Sequence, residues 1–475
     1  MRNKFLSKLI CLFLSIVTLV LSFSGCSDSD KPDVSIEAMD LEDVYTFSFD
    51  CIGGKDVMPI AGYYGPQANN GAINGQRYPN HFTDAIMSAI SECGVNIITA
   101  NGANYESYPE YTKQLLDLGE KFGIGIFVRD GAVMNNVKDK ALSVEELDER
   151  ISSYRSHPAF AGVYVVDEPG TLNFRMEGDE RFIENYAPIF QNLKKLNTVA
   201  YGNLLPLGRA ADIDAYQKYI DEYLNTCPVD FLSYDKYPFV DEDSPKDPAV
   251  YLKNLSMIRS AAESKHIPFW GFVQAGAQWN DSMNYFDSKG YFPTEGPFSW
   301  IVNTTLAFGA KGIQYFPLIQ PTHFAYALST PYDFERNGVI GAWGNKNRWW
   351  YYAKKLNKHI SEIDEILMNS VSKGLIISSD DMYEEFKSVD CLFKGKSWRE
   401  LKNVSGETLV GCFNYFGKSA FYVVNYNTEF SQKITLDFAG KYNLRVIQNA
   451  KEEFLNSDSL QLEMTPGEGV LVVVV

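Results

Sequence analysis

Residues 161–169 read Ala161, Gly162, Val163, Tyr164, Val165, Val166, Asp167, Glu168, Pro169. A short apolar run rich in β-branched residues stops at two carboxylates and a proline. Such a run suits a strand buried on both faces, as parallel strands are. Pro169 cannot donate to a central ladder, so the strand ends there. Acids at the carboxyl end of a buried parallel strand stand where α/β barrels carry chemistry.

The flanking sequence repeats the pattern. Strands are expected at 57–63, 95–100, 124–130, 162–168, 198–203, 229–235, 267–274 and 312–317. Amphipathic helices fall at 83–93, 108–122, 179–196, 211–224, 248–265, 298–308 and 345–366. Another starts at Ser143, where Glu146 completes a capping-box spacing. Pro188 is expected to kink or split the 179–196 helix. Eight strand–helix units in a row predict a closed (β/α)8 barrel. No Gly-rich phosphate fingerprint follows the first strand, which disfavours an open dinucleotide-binding sheet. After about residue 370 short apolar runs alternate with Gly, Asn, Asp and Ser, the pattern of a small antiparallel β-sandwich. Its last run, 470–475, is too apolar for an exposed edge and is expected at the centre of a sheet.

The first 25 residues read as an export signal. Arg2, Lys4 and Lys8 precede an apolar run, and Phe23-Ser24-Gly25-Cys26 resembles a bacterial lipobox with Cys26 lipidated. Ser27-Asp28-Ser29-Asp30 begins a polar tether, and acids directly after the cysteine resemble the surface-export signals of Bacteroidetes lipoproteins. The expected divisions are signal 1–25, tether and lead-in 26–50, barrel 51–368 and β-sandwich 369–475. The expected location is the outer membrane, on the cell surface or the periplasmic face, with membrane contact through the lipid alone.

The formal charge of −17 disfavours nucleic acid and anionic lipid as partners. Beyond the export segment the cysteines are Cys51, Cys93, Cys227, Cys391 and Cys412. They read as buried thiols, with Cys391–Cys412 the one disulfide worth expecting. His81, His157, His266, His323 and His359 have no metal-ligand spacing, so neither metal nor cofactor is expected.

A barrel followed by a small β-sandwich, with Asp167-Glu168-Pro169 closing strand four, resembles the clan A glycoside hydrolases. So does the approach to strand eight, Leu306-Ala307-Phe308-Gly309-Ala310-Lys311-Gly312-Ile313 with Tyr315 and Phe316. The resemblance implies an Asn-Glu-Pro ending in which the Glu is the general acid; here Asp167 replaces the Asn. It also implies a nucleophilic Glu ending strand seven, where this chain has Gln274. Glycoside hydrolysis needs two carboxyls, about 5–5.5 Å apart for retention or about 6.5–9.5 Å for inversion.

Glu168 is the candidate acid, and its competing role is capping or pairing with Arg175. Asp235, ending strand six, is the first candidate for its partner, against an ion pair with Lys236 or Arg209. Glu295 is the second, against a carboxylate at a helix N-terminus, and Asp130 beside Arg129 is a weaker third. Tyr63, Tyr64, Asn101, Asp167, Asn203, Tyr237, Gln274, Trp279, Tyr315 and Trp343 lie at strand ends or in the long loops and are candidates for sugar contact. The expected function is hydrolysis of an oligo- or polysaccharide. The alternative is a non-catalytic glycan-binding lipoprotein on a degenerate hydrolase barrel, for which Gln274 speaks. An esterase or deacetylase lacks a G-x-S-x-G elbow or a histidine-rich metal site.

Overall fold

The computed structural model of the chain describes residues 44–68, 72–73, 76–77, 79–208, 212–239, 247–276, 293–320 and 338–475. Cys26, Arg209, Trp279 and His323 lie outside the described residues, as does the export segment. All described elements belong to one compact unit, Ala38–Val475.

Eight parallel strands close into a barrel: β1 (Ile60–Gly62), β2 (Ile97–Asn104), β3 (Gly125–Arg129), β4 (Phe160–Asp167), β5 (Ala200–Leu204), β6 (Leu232–Tyr234), β7 (Phe269–Gln274) and β8 (Ile313–Phe316). Eight main helices surround them: α1 (Asp84–Glu92), α2 (Pro109–Phe122), α3 (Val144–Arg155), α4 (Ile183–Lys195), α5 (Ile213–Thr226), α6 (Pro248–Ser264), α7 (Glu295–Ala307) and α8 (Arg348–Met368). Alternation along each strand sorts the side chains. On β3, Ile126 and Val128 face the helices while Phe127 faces the barrel interior. The interior is filled by rings, with Phe231 stacked on Trp270 at 4.0 Å between centroids. The lead-in plugs this space, since Phe49 packs edge-on against Phe127 at 5.8 Å. The α3 capping box forms between Ser143 and Glu146 as expected.

Two helix details differ from the sequence expectation. Residues 179–182 do not join α4, because they belong to a loop tied back by a Gly170–Phe182 bridge. Pro188 lies inside α4 without splitting it.

The C-terminal part is one antiparallel sheet of seven strands: β9 (Ser370–Ile377), β10 (Leu401–Val404), β11 (Thr408–Tyr415), β12 (Lys418–Asn425), β13 (Gln432–Gln448), β14 (Lys451–Met464) and β15 (Gly469–Val474). Its order is β9-β11-β12-β15-β13-β10, with β14 paired to β13. β15 is therefore central. Ile376 and Leu401, from opposite ends of that order, share one apolar cluster, so the sheet curls over its own core. A register irregularity between Asp437 and Tyr442 lets the 17-residue β13 serve both layers. Cys391 and Cys412 are both free thiols. Cys412 faces the sheet's own core while Cys391 packs against the barrel's cluster, so they cannot meet.

The other face of the sheet covers the barrel through α7. Every residue from Gly296 to Ala307 is buried, as a helix enclosed on all sides requires. Tyr422 Oη donates to Asn303 Oδ1 at 2.6 Å, and Asn303 Nδ2 donates to the Gly467 carbonyl at 2.7 Å. A Cβ on Gly411 would meet the Ala307 carbonyl oxygen at 2.3 Å. Gly411→Ala is therefore expected to cost about 1–3 kcal/mol by overpacking, read as a lower midpoint in urea unfolding; an unchanged midpoint would show that the seam yields freely.

Candidate active site

Three carboxyls converge at the carboxyl ends of neighbouring strands. Asp167 is the last residue of β4, Glu168 follows it, and Asp235 follows β6. Between them β5 ends with Asn203 and Leu204. Glu168 holds φ at 49°, the left-handed region. For a residue other than glycine that conformation costs on the order of 1–3 kcal/mol and persists only where surroundings enforce it. Here they do. Glu168 N donates to the Asn203 carbonyl at 2.8 Å, Arg181 Nη1 donates to the Asp167 carbonyl at 2.7 Å, and Tyr219 Oη donates to the Pro169 carbonyl at 2.8 Å. Tyr64, just past β1, is also left-handed, with φ at 56°.

Asn203 bridges the cluster. Its Nδ2 donates to Asp235 Oδ1 at 3.0 Å and to Asp167 Oδ1 at 3.2 Å, and its Oδ1 accepts from Ser233 Oγ at 2.9 Å. Tyr63 donates to Asp167, and its hydroxyl lies 2.7 Å from that of Tyr164. Glu168 and Asp235 are hydrogen-bonded to each other.

Asp235 is buried, while Asp167 and Glu168 keep part of their surface open to the barrel mouth. Burial, then the charges of Asp235 and Asp167, push the Glu168 carboxyl up to about 10. Burial and then Asp167 raise Asp235 to about 7, against the N–H of Asn203 and the proton of Glu168, which favour its ionised form. Asp167 is raised by burial and pulled back by Tyr63, Asn203, Arg181 and Arg129. The trio thus holds a proton at neutral pH, and Glu168 has the strongest hold on it.

The remaining candidates divide. Tyr64 and Tyr237 flank Phe316, with centroids at 5.8 and 5.5 Å, and form an aromatic wall beside the carboxyls. Arg129 lies near Asp167 with its guanidinium 6.0 Å from the Tyr164 ring. Asn101 accepts a hydrogen bond from Thr99, and Trp343 is half-buried in the loop after β8.

Four of the candidate residues are engaged by other parts of the chain. Gln274 spends its amide on loop backbone, donating to the Phe239 and Gly276 carbonyls at 2.7 and 3.1 Å. Tyr315 points outward, donating to Asn357 Oδ1 at 2.7 Å and stacking on Phe298. Glu295 starts α7 and pairs with Lys355 at 2.8 Å, beside Thr428 and Pro466 of the sheet's loops. Asp130 caps Ala132 N and is clamped by Arg150, Nε and Nη2 both at 2.8 Å. Of the expected competitors, Lys236 donates to the Leu207 carbonyl at 2.9 Å and Arg175 to that of Asp179, also at 2.9 Å.

Sequence reasoning did not find Ser233, Tyr164 or Arg181. Ser233 had a signal, standing two residues before Asp235 and so on the same side of the strand. Arg181, far along a loop, had none. Among the described residues no group of three or more His, Cys, Asp and Glu is arranged to hold a metal, and no helix is long and apolar enough to cross a membrane.

The raised carboxyls set a sign for stability. A group bound more tightly to its proton when folded supports the fold fully below its unfolded value, near 4.5 for Glu168, and loses that support as pH rises through about 10. Glu168→Gln should therefore melt higher than the parent chain at pH 9 and draw level with it near pH 4.5, the gap growing by at most about 1.4 kcal/mol per pH unit. Parallel melting curves at both pH values would refute the buried, proton-holding state.

No family model matches the chain, and no curated protein does. Among solved structures it is similar to a family-27 β-L-arabinopyranosidase from Geobacillus stearothermophilus, at 12% identity and a TM-score of 0.48 over 90% of this chain and 98% of that one. It is also similar to a β-galactosidase from the psychrophilic Marinomonas ef1, at 11% identity and a TM-score of 0.43, covering 66% of this chain and 62% of that one. The fold of this chain is a closed (β/α)8 barrel followed by a curled antiparallel sheet.

Proposed function

We propose that this chain is a glycoside hydrolase acting on an oligo- or polysaccharide, with Glu168 as general acid and Asp235 as its partner carboxylate. The observation that carries the reading is the convergence of Glu168, Asp167 and Asp235 at the carboxyl ends of β4 and β6, where Asn203 bridges the two aspartates and burial raises both Glu168 and Asp235. Glu168 gives its proton to the leaving oxygen as the glycosidic C–O bond breaks. Asp235 attacks the anomeric carbon or takes a proton from the attacking water. The separation that the two carboxyls take around the sugar, about 5–5.5 Å or about 6.5–9.5 Å, decides between retention and inversion. Tyr64, Tyr237 and Phe316 supply apolar faces for sugar rings. Asp167 is proposed as a sugar-hydroxyl acceptor. Lipidation at Cys26 and attachment to the outer membrane are part of the same proposal, placing the barrel beside an external glycan.

A second reading is a glycan-binding lipoprotein without turnover. It draws on Gln274, an amide committed to loop backbone where a hydrolase of the resembled kind would place its nucleophile.

A screen of aryl-glycosides and polysaccharides tests both. Turnover is expected, with Glu168→Gln lowering kcat by roughly 10²–10⁴-fold in a chain that still folds. The profile of kcat/KM should be a bell, rising through about pH 7 as Asp235 ionises and falling through about pH 10 as Glu168 loses its proton. Oligosaccharide binding with no hydrolysis would select the second reading, and turnover indifferent to Glu168 would remove the site.

A further inference from the structure

Asn203 was a candidate for sugar contact, yet its side chain has no polar atom left for a ligand. It is 2% exposed. Both amide hydrogens go to carboxylates, Asp167 at 3.2 Å and Asp235 at 3.0 Å, and its oxygen receives the Ser233 hydroxyl at 2.9 Å. The opposite orientation of the amide would set its oxygen against two carboxylate oxygens, so the network allows one orientation only. The backbone carbonyl of the same residue anchors Glu168 N at 2.8 Å. β5 lies between β4 and β6 in the ring, so one residue on it reaches all three acids.

An N–H donor stabilises a carboxylate and not a carboxylic acid. Asp167 and Asp235 each have such a donor. Among the described residues no N–H reaches the Glu168 carboxyl, whose partner is the Asp235 oxygen. We infer that Asn203 is the positioning residue that decides which acid of the cluster carries the proton: its two N–H groups hold Asp167 and Asp235 as carboxylates and leave the proton on Glu168. No covalent step is involved. The proton stays within the cluster, and what changes is which oxygen owns it.

Other groups facing the cluster favour Asp167 over Glu168, but none of the described side chains besides Asn203 donates an N–H to both Asp167 and Asp235. Just past β1, Tyr63 donates to Asp167 and to neither other acid, and Tyr64 faces both Asp167 and Glu168. From β3 and the loop after β4, Arg129 and Arg181 favour ionised Asp167, and Arg181 acts in the same sense on Glu168. From β5, Tyr201 faces Asp167 and Asp235 but donates to Gln314 at 3.0 Å, and from α5 Tyr216 and Tyr219 face Asp235 and Glu168. Among the described residues only Asn203 donates to two of the acids and withholds from the third.

The catalytic use of this arrangement rests on the glycosidase reading; the placement of the proton does not. Infrared difference spectroscopy on the full chain at pH 8 reads the placement through the carbonyl band of a buried protonated carboxyl. The parent chain should show such a band, and Glu168→Gln should remove it. In Asn203→Leu combined with Glu168→Gln the band should return, because Asp235 then loses its Asn203 donor while Asp167 beside it is still held ionised by Tyr63 and the two arginines. Should the leucine variant fail to fold, Asn203→Thr offers one donor for two acceptors, and the band is again expected. Absence of the band in whichever double variant folds would overturn the inference. So would a band that survives Glu168→Gln alone. Where glycosides are turned over, Asn203→Leu should also move the acid limb of kcat/KM up by about one pH unit. An unmoved limb would overturn the inference, whereas the expected bands without any turnover would sink the glycosidase reading and leave the proton assignment standing.

Discussion

Ile60, Ala61 and Gly62 are the residues through which the ring of strands meets itself, pairing with Ile313–Tyr315 on one side and Ile97–Ile98 on the other. Three residues suffice because the ends are pinned from elsewhere. Ile60 N donates to Asn96 Oδ1 at 2.8 Å, and Tyr63 N to the Tyr315 carbonyl at 2.9 Å. Gly62 allows the chain after β8 to pass, since a Cβ there would lie 2.4 Å from the Leu318 side chain. Once the ring is closed, strand order dictates what stands beside what. β4, β5 and β6 become neighbours, and Asp167, Asn203 and Asp235 are brought to one rim although they are spread along the sequence. The carboxyl cluster is thus a product of closure rather than of any local motif.

The cluster itself works against stability. It buries like charges near one another, keeps Glu168 in a left-handed backbone and must be held by donors from four directions. Each arrangement costs free energy that apolar residues of the same volume would not. The rest of the barrel interior offsets that cost: its N-terminal half is a stack of Phe49, Phe127, Phe231 and Trp270 with no charged group among them. Chemistry is concentrated at one end of the cylinder and packing at the other, as parallel barrels generally arrange it.

Sequence carried much of this, unevenly. The β4 run ending in Asp167-Glu168-Pro169 was legible because a period change and a proline coincide at the place where the strand stops. Asp235 followed from the same rule applied to β6. Glu295 looked equivalent on paper, but its partners, Lys355 and the sheet loops, come from more than fifty residues away, and nothing local records that. Tyr315 failed on parity. It is one residue from Gln314, which does face the interior and bonds Tyr201 at 3.0 Å, and a strand register shifted by one exchanges the two faces. Gln274 was visible as an amide where a carboxylate was expected, yet its engagement with Phe239 required the fold of the preceding loop. In the C-terminal sheet, β14 was mostly missed because its first half is polar and exposed, which is how an edge strand protects itself.

The complete enclosure of α7 also bears on how the chain can come apart. A helix buried on every side, with Phe298, Trp300, Ile301, Val302 and Leu306 spread around it, needs both of its walls, barrel and sheet, to hide it. The boundary visible in the sequence near residue 369 is therefore a change of architecture but not a line of cleavage. Barrel and sheet share a structural element as adjoining rooms share a wall. Barrel and sheet are thus expected to gain and lose their order together, the C-terminal sheet acting as a fixed component of the barrel and not as an exchangeable appendage.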